Sequence, residues 1–161
     1  MEDARHLLAI SGGSPPASTT GMFADLLSSP ITREIVGAAI EVHREVGPGV
    51  LESVYLTCLE YELTVRNLPC VRQKVVPIVY KEIRFDVAHR VDLIVDDVVV
   101  VEVKSVETLL PIHQAQALTY LSLTGCPVGL LINFNVPKLV DGVKRLINPR
   151  ATAAQRTPTN L

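Results

Sequence analysis

The chain has 161 residues, a formal charge of −2 and 48% apolar residues, of which few are aromatic. A single domain of this length buries about two-thirds of the surface of its unfolded chain, so a core of Val, Leu and Ile is expected. The near-neutral charge argues against a global basic field that would collect nucleic acid. Three widely spaced Cys residues argue against a disulfide framework and a zinc site, and they predict a reducing, cytoplasmic location.

The two ends of the chain are predicted to be disordered tails. Residues 1–30 include the small, polar stretch SGGSPPASTTG, and residues 149–161 include ATAAQRTPTNL. Neither stretch buries enough apolar surface to offset its ordering entropy, so the domain is predicted to span residues 31–148. Met22, directly before the first periodic segment, is predicted to be an alternative translation start. No secretory signal and no run of ~18 apolar residues is present, so no membrane association is expected.

Two helices are predicted in the first part of the domain. Apolar residues recur at three- and four-residue intervals over residues 31–46 and again over residues 50–67, the spacing of one helical face. The sequence Gly47-Pro48-Gly49 separates them as a tight corner. Gly49 is the expected N-cap of the second helix, which would put Glu52 at its third position, where a negative charge favours the helix dipole.

Strands and two more helices are predicted beyond the corner. Residues 71–80 are β-branched, with a Pro77 that suits an edge strand or a bulge. Asp96 and Asp97 tolerate turn geometry, so the flanking segments predict an antiparallel hairpin. The remaining predictions are strands at 83–95, 98–105 and 128–136, a helix within 110–125 and a short closing helix at 140–147. This order predicts an α/β fold with a mixed sheet.

Three charged residues interrupt the apolar hairpin VDLIVDDVVVVEVKS. If the turn centres on Asp97, Asp92 lies opposite Glu102, with Cβ atoms roughly 4.5–5.5 Å apart, and Lys104 shares that face. Two neighbouring carboxylates at low dielectric bind a proton, recruit a cation or rely on Lys104. Oxygen ligands suit Mg²⁺ or Mn²⁺. The pattern alone fits solvent-facing charges on an amphipathic strand equally well.

The other face of this hairpin is predicted to be dry and to lie under a helix. The charged face is also expected to carry some apolar residues. The dry face comprises Val91, Leu93, Val95, Val99, Val101 and Val103, and the charged face adds Ile94, Val98 and Val100.

Two motifs resemble a known group of enzymes. Asp92 followed by Glu102-Val103-Lys104 resembles the D…(D/E)xK signature of the PD-(D/E)XK nuclease superfamily, and GVLESVY at residues 49–55 resembles the GxxExxY motif of one of its families. The helix HQAQALTYL and the strand GLLINF resemble the elements that follow there. The superfamily's Pro before the first Asp is Val91 here. The resemblance implies a restriction-endonuclease-like αβββαβ core, a mixed central sheet flanked by helices.

The resemblance also implies an activity and its residues. Asp92 and Glu102 would hold Mg²⁺ or Mn²⁺, Glu52 would join or orient the ligands, and the carbonyl of Val103 would be a further ligand. Lys104 would position or deprotonate the attacking water and stabilise charge on the phosphate. The implied reaction is hydrolysis of phosphodiester bonds in DNA, with RNA as an alternative.

Gln116, Tyr120 and Arg90 are the predicted substrate contacts. Gln116 and Tyr120 share a helix face and lie where the family pattern has a Gln and a Tyr, whereas Arg90 lies two residues before Asp92. His113 shares the helix face but is expected to belong to its polar side. Tyr55 is expected in the core with its hydroxyl at the rim, and His43 is expected to be a hydrogen-bonded core residue.

Two other functions remain open at the level of sequence. One is a non-catalytic nucleic-acid or protein-binding module that retains the nuclease fold, and the other is a metal phosphatase that acts on small phosphates. A domain of this size offers little area to grip a duplex, so a homodimer or a protein partner is expected.

Overall fold

The computed structural model describes residues 29–154, except the side chains of Val87, Ala88 and residues 152–154. Most of the predicted N-terminal tail and the alternative start at Met22 lie outside the described residues. The C-terminal segment begins with a short helix at Pro149–Ala154. Within the described part of the chain, no helix is both long and apolar enough to cross a bilayer.

The described residues form four α-helices, one short 3-10 helix and five β-strands. In chain order they are α1 (Pro30–Val46), α2 (Glu52–Val65), β1 (Cys70–Tyr80), β2 (Ile83–Val95), β3 (Val99–Lys104), α3 (Pro111–Thr124), β4 (Val128–Asn133), the 3-10 helix (Leu139–Gly142), β5 (Val143–Ile147) and α4 (Pro149–Ala154). The predicted α/β class and the αβββαβ order from α2 to β4 are confirmed.

The sheet is mixed, with strand order β1-β2-β3-β4-β5. β3 and β4 are parallel, and the other neighbouring pairs are antiparallel. The parallel pair requires a crossover, which α3 provides. Pro111 begins α3, and Gly125 ends it in the left-handed conformation at φ 76°, as predicted.

The register of the β2–β3 hairpin matches the prediction. Leu93 pairs with Val101 and Val95 with Val99, so Asp92 and Glu102 are the next opposed positions. Asp96 and Asp97 form the turn with φ of 52° and 54°, which Asp adopts more readily than most residues. The two carboxylate-bearing strands are therefore neighbours in the sheet.

Two hydrophobic clusters sandwich the sheet. One cluster joins α1 and α2 to one face, and the other joins α3 to the opposite face. Val91 was predicted on the dry face, and this prediction is wrong because Val91 packs in the α3 cluster. Val98 was predicted on the charged face, and this prediction is also wrong because Val98 packs against the α1–α2 cluster. Val98 belongs to the turn, so strand alternation does not reach it. Near Val91 the ladder skips the pair Gln73–Asp92, and Gln73 has a φ of 52°.

The predicted closing helix at residues 140–147 is wrong. A single 3-10 turn is followed by β5, which pairs antiparallel with β4 from Val143 to Ile147. The apolar spacing in VDGVKRLI fits one helical turn as well as a strand. The exposed edge of β4 decides the outcome, because its backbone groups need partners that only an extended segment supplies.

Candidate metal and catalytic site

The corner between α1 and α2 is held by Tyr55. Its hydroxyl donates to the carbonyl of Gly47 at 2.5 Å and accepts the N–H of Val50 at 3.1 Å. Its ring stacks on Phe134 at a centroid distance of 4.4 Å. Gly49 has a φ of 87°, which favours glycine. Tyr55 is fully buried, so it is a core residue as predicted, and its hydroxyl fixes the corner.

Glu52 is the first residue of α2, because the N-cap is Leu51. The expected N-cap at Gly49 and the third-position role of Glu52 are therefore wrong. One oxygen of the Glu52 carboxylate accepts the backbone N–H of Ser105 at 3.1 Å. The Ser105 hydroxyl in turn donates to the carbonyl of Val50 at 2.6 Å. These contacts join the corner to the end of β3, directly after Lys104.

Asp92 lies on β2 where the β1–β2 ladder is interrupted. Its Oδ1 accepts the Gln73 side-chain amide at 3.0 Å, and its Oδ2 accepts the backbone N–H of Val103 at 2.9 Å. Burial raises the pKa of Asp92, although these hydrogen bonds and the charge of Lys104 oppose the rise. The carboxylate is thus held against β3 with each oxygen in one hydrogen bond.

Glu102 is only 3% exposed on β3. Its Oε1 accepts the Lys104 ammonium at 2.9 Å, whereas its buried Oε2 has no hydrogen-bond partner among the described residues. Burial and the neighbouring charge of Asp92 raise its pKa to about 7. A buried carboxylate oxygen without a donor is costly, so this atom is where a proton or a cation would be most favourable.

Lys104 ends β3 with its side chain 13% exposed. Burial acts to lower its pKa, but the charges of Glu102, Glu52 and Asp92 outweigh burial and raise it. The ammonium therefore stays charged across the neutral range. It is the fixed positive charge of the site.

Gln116 and Tyr120 line the α3 side of the site. The Gln116 amide donates to the Tyr120 hydroxyl at 2.7 Å, which confirms their shared helix face. Burial and the charge of Glu102 raise the pKa of Tyr120. Tyr120 is only 2% exposed, and the ring of His89 contacts it edge-on.

The other predicted residues lie apart from this group. Arg90 is exposed, and among the described residues no hydrogen bond or ion pair joins it to Asp92. His113 accepts the N–H of Leu110 at the start of α3. His43 is only half-buried, and it bonds to the carbonyl of Val136 at 2.8 Å, so the expected hydrogen bond is present.

The donor set suits a hard cation, although the ligands are not gathered into a complete shell. Within residues 29–154, no three side chains of His, Cys, Asp and Glu lie close enough together to hold a metal ion. Asp92 and Glu102 nevertheless offer carboxylate oxygens, and Oε2 of Glu102 is buried with no donor in the described part of the chain. Oxygen ligands of this kind fit Mg²⁺ or Mn²⁺.

Three residues around the site were missed by the sequence analysis. Gln73 holds Asp92, Ser105 joins Glu52, and the buried Asn133 bonds both backbone groups of Val106 in the loop after β3. Ser105 could have been found because it directly follows the ExK motif. No local sequence pattern indicates the roles of Gln73 and Asn133, because their hydrogen-bond partners lie 19 and 27 residues away in the sequence.

Comparison with known protein families identifies the group to which the chain is related. The family model of the PD-(D/E)XK nuclease superfamily matches residues 29–146, most of the chain. The chain belongs to the PD-(D/E)XK nuclease superfamily. Its mixed sheet flanked by helices is the restriction-endonuclease-like fold. No curated protein and no solved structure matches the chain significantly.

Proposed function

We propose that this superfamily member is a metal-dependent nuclease that hydrolyses phosphodiester bonds of DNA, with RNA as an alternative substrate, and that it belongs to the GxxExxY family. The observation that carries the proposal is the buried, unpartnered Oε2 of Glu102 beside Asp92 and Lys104. These are the acids and the amine of the D…ExK motif. A buried carboxylate oxygen without a donor is uncommon in a purely structural ion pair.

Asp92 and Glu102 would hold Mg²⁺ or Mn²⁺, with the carbonyl of Val103 as a further ligand. A divalent ion bound there would polarise a phosphoryl oxygen and lower the pKa of a bound water. The hydrogen bonds from Gln73 and Val103 keep the Asp92 carboxylate in one orientation. A preoriented carboxylate loses little conformational entropy when a ligand arrives.

Lys104 would position the attacking water and stabilise charge on the phosphate. Its ammonium now contacts Oε1 of Glu102, and its raised pKa keeps the charge in place at neutral pH. If a divalent ion binds the Glu102 carboxylate, the Lys104 ammonium can turn toward a phosphate oxygen. A fixed cation at that position favours the transition state electrostatically.

Glu52 would act chiefly as a positioning residue, with its second oxygen able to join the ligands. Its contact with the Ser105 N–H fixes the chain directly after Lys104. In this interpretation the GxxExxY motif is one unit: Gly49 makes the corner, Tyr55 fixes it, and Glu52 attaches it to the catalytic strand.

Gln116, Tyr120 and Arg90 would contact the substrate. The Gln116–Tyr120 pair lies beside Glu102, whose negative charge helps to raise the pKa of the Tyr120 hydroxyl. Gln116 is the better direct contact because Tyr120 is almost fully buried. Arg90 is exposed, so its guanidinium is accessible to a phosphate.

Purified protein incubated with Mg²⁺ or Mn²⁺ and plasmid, single-stranded DNA or RNA tests this function. We expect cleavage that Lys104→Ala abolishes and that Lys144→Ala leaves unchanged. Lys144 is an exposed lysine on β5, so it controls for loss of a positive charge. Equal products from the wild type and Lys104→Ala would contradict the proposal.

One observation favours the non-catalytic binding module as second candidate. The acids of the described chain do not form a three-ligand cluster, as a module that had lost catalysis would also show. In that case nucleic acid would bind in EDTA and remain intact in Mg²⁺ and Mn²⁺. Cleavage of a phosphomonoester without cleavage of polynucleotide would instead indicate a phosphatase.

A further inference from the structure

The β1–β2 hairpin extends well beyond the rest of the sheet. β3 pairs with β2 only at residues 93–95, so β1 is the only strand of the described chain that pairs with residues 83–90. A strand rises about 3.3 Å per residue, so the nine steps from Asp92 to Ile83 span roughly 30 Å. The outermost paired part, residues 78–85, is named the hairpin tip and follows the bulge at Pro77.

The hairpin tip exposes large apolar side chains. Tyr80 pairs with Ile83, and Ile78 pairs with Phe85, so these four residues share one face. Tyr80 is 61%, Ile83 55% and Phe85 50% exposed. A two-stranded ribbon is marginally stable alone in water, and a contiguous exposed apolar face marks an interaction site.

The same hairpin concentrates positive charge in a chain that is slightly acidic overall. Two acids, Glu82 and Asp86, occur between residues 70 and 91, and Asp86 is paired with Arg84. The basic residues of that range are Arg72, Lys74, Lys81, Arg84 and Arg90. The basic residues of this range outnumber the acids by three, although Arg72 is also paired with Glu60, and Glu82 and Asp86 balance Lys81 and Arg84 at the tip. Polyanions are the complementary partner.

We propose that the β1–β2 hairpin is a DNA-binding arm whose tip enters the major groove of a B-form duplex adjacent to the scissile phosphate. The inference rests on the proposed function, because Asp92 and Gln73 of the candidate site form the base of the hairpin. A groove about 12 Å wide admits a two-stranded ribbon, whereas the major groove of A-form RNA is too narrow. Lys81 and Arg84 meet phosphates, and Tyr80, Ile83 and Phe85 meet base edges.

Fluorescence anisotropy with a labelled 30-base-pair DNA duplex tests the arm. The measurement is made in EDTA, so binding is read without cleavage, with single-stranded DNA and duplex RNA of the same sequence for comparison. The double variant Lys81→Ala/Arg84→Ala should bind the duplex about tenfold more weakly, with a salt-dependence slope smaller by about two. The control Lys144→Ala/Arg145→Ala removes two exposed charges from β5 and should leave affinity unchanged.

A second pair of variants tests the apolar face. Tyr80→Ser/Phe85→Ser should weaken duplex binding, whereas Tyr61→Ser/Val65→Ser changes similarly exposed residues on α2 and should not. Equal affinities for tip and control variants, or a wild type that does not bind the duplex, would overturn the arm. So would a dimer that Tyr80→Ser/Phe85→Ser dissociates while duplex affinity persists, because the surface would then serve self-association.

Parallel assays in Mg²⁺ separate the two proposals. Tip-dependent duplex binding without any cleavage would support the arm and contradict the hydrolase. Cleavage by the wild type together with unchanged affinity in the tip variants would contradict the arm alone.

Discussion

The two faces of β3 differ sharply in the polarity of their side chains. Val99, Val101 and Val103 are fully buried in the apolar cluster that joins this face to α1 and α2. On the opposite face Val100 is just as buried, yet Glu102 and Lys104 follow it under α3. One face stabilises the fold by apolar burial, and the other retains a buried charge that destabilises it, as a ligand-binding site often does.

Placing a charge on the dry face gives the largest expected effect. Val101→Asp would bury an unpaired carboxylate one residue from Glu102 but without a neighbouring Lys, which destabilises by roughly 4 kcal/mol or more. Urea unfolding followed by circular dichroism would detect this. Val140→Asp, at an exposed position, is the control. A cooperative transition for Val101→Asp within about 1 kcal/mol of wild type would show that the faces do not differ.

The charged face predicts a pH dependence of stability in the absence of metal. The pKa of Glu102 rises from 4.5 to about 7 on folding, so the folded state binds this proton more tightly than the unfolded state. The free energy of unfolding should therefore fall by about 3 kcal/mol as pH rises from 4.5 to 7. Glu102→Gln should lose most of this decline.

Urea unfolding in EDTA at a series of pH values measures this fall in the free energy of unfolding. Burial raises the pKa of Asp92 as well, so a smaller decline of the same sign should persist in Glu102→Gln. Parallel profiles for wild type and Glu102→Gln would contradict the pKa shift of Glu102.

Local sequence patterns predicted those features of the fold that depend on residues close together in the chain. The turn at Asp96–Asp97 set the hairpin register, and Gly125 ended α3. Pro77 lies where the register of an edge strand shifts, as its missing N–H requires. Each outcome depends on residues within a few positions of one another, which is why sequence alone sufficed.

Features that depend on distant partners were not predictable. β5 is a strand because β4 presents an open edge, and Val91 faces α3 because the ladder is irregular at Gln73. The donors to Asp92 and Glu52 likewise come from segments that only the fold brings near. The proposed ligand residues were suggested by the D…ExK spacing, but their hydrogen bonds, and the lack of a partner for Oε2 of Glu102 among the described residues, required the structure.

A smaller loss of stability is predicted at the corner between α1 and α2, on the side of the sheet where the apolar face of β3 lies. Tyr55→Phe removes two hydrogen bonds while keeping the ring stacked on Phe134, and it should reduce stability by about 1–2 kcal/mol. Thermal unfolding compared with Tyr61→Phe, at an exposed tyrosine, measures the difference. Equal stability of the two variants would mean that the hydroxyl does not fix the corner.

Crystallography with Mn²⁺ tests the metal site most directly. Anomalous diffraction should show an ion bound by Asp92 and Glu102, and no ion there in Glu102→Gln crystals. A map without a peak between these carboxylates, at a Mn²⁺ concentration that supports cleavage, would contradict the account.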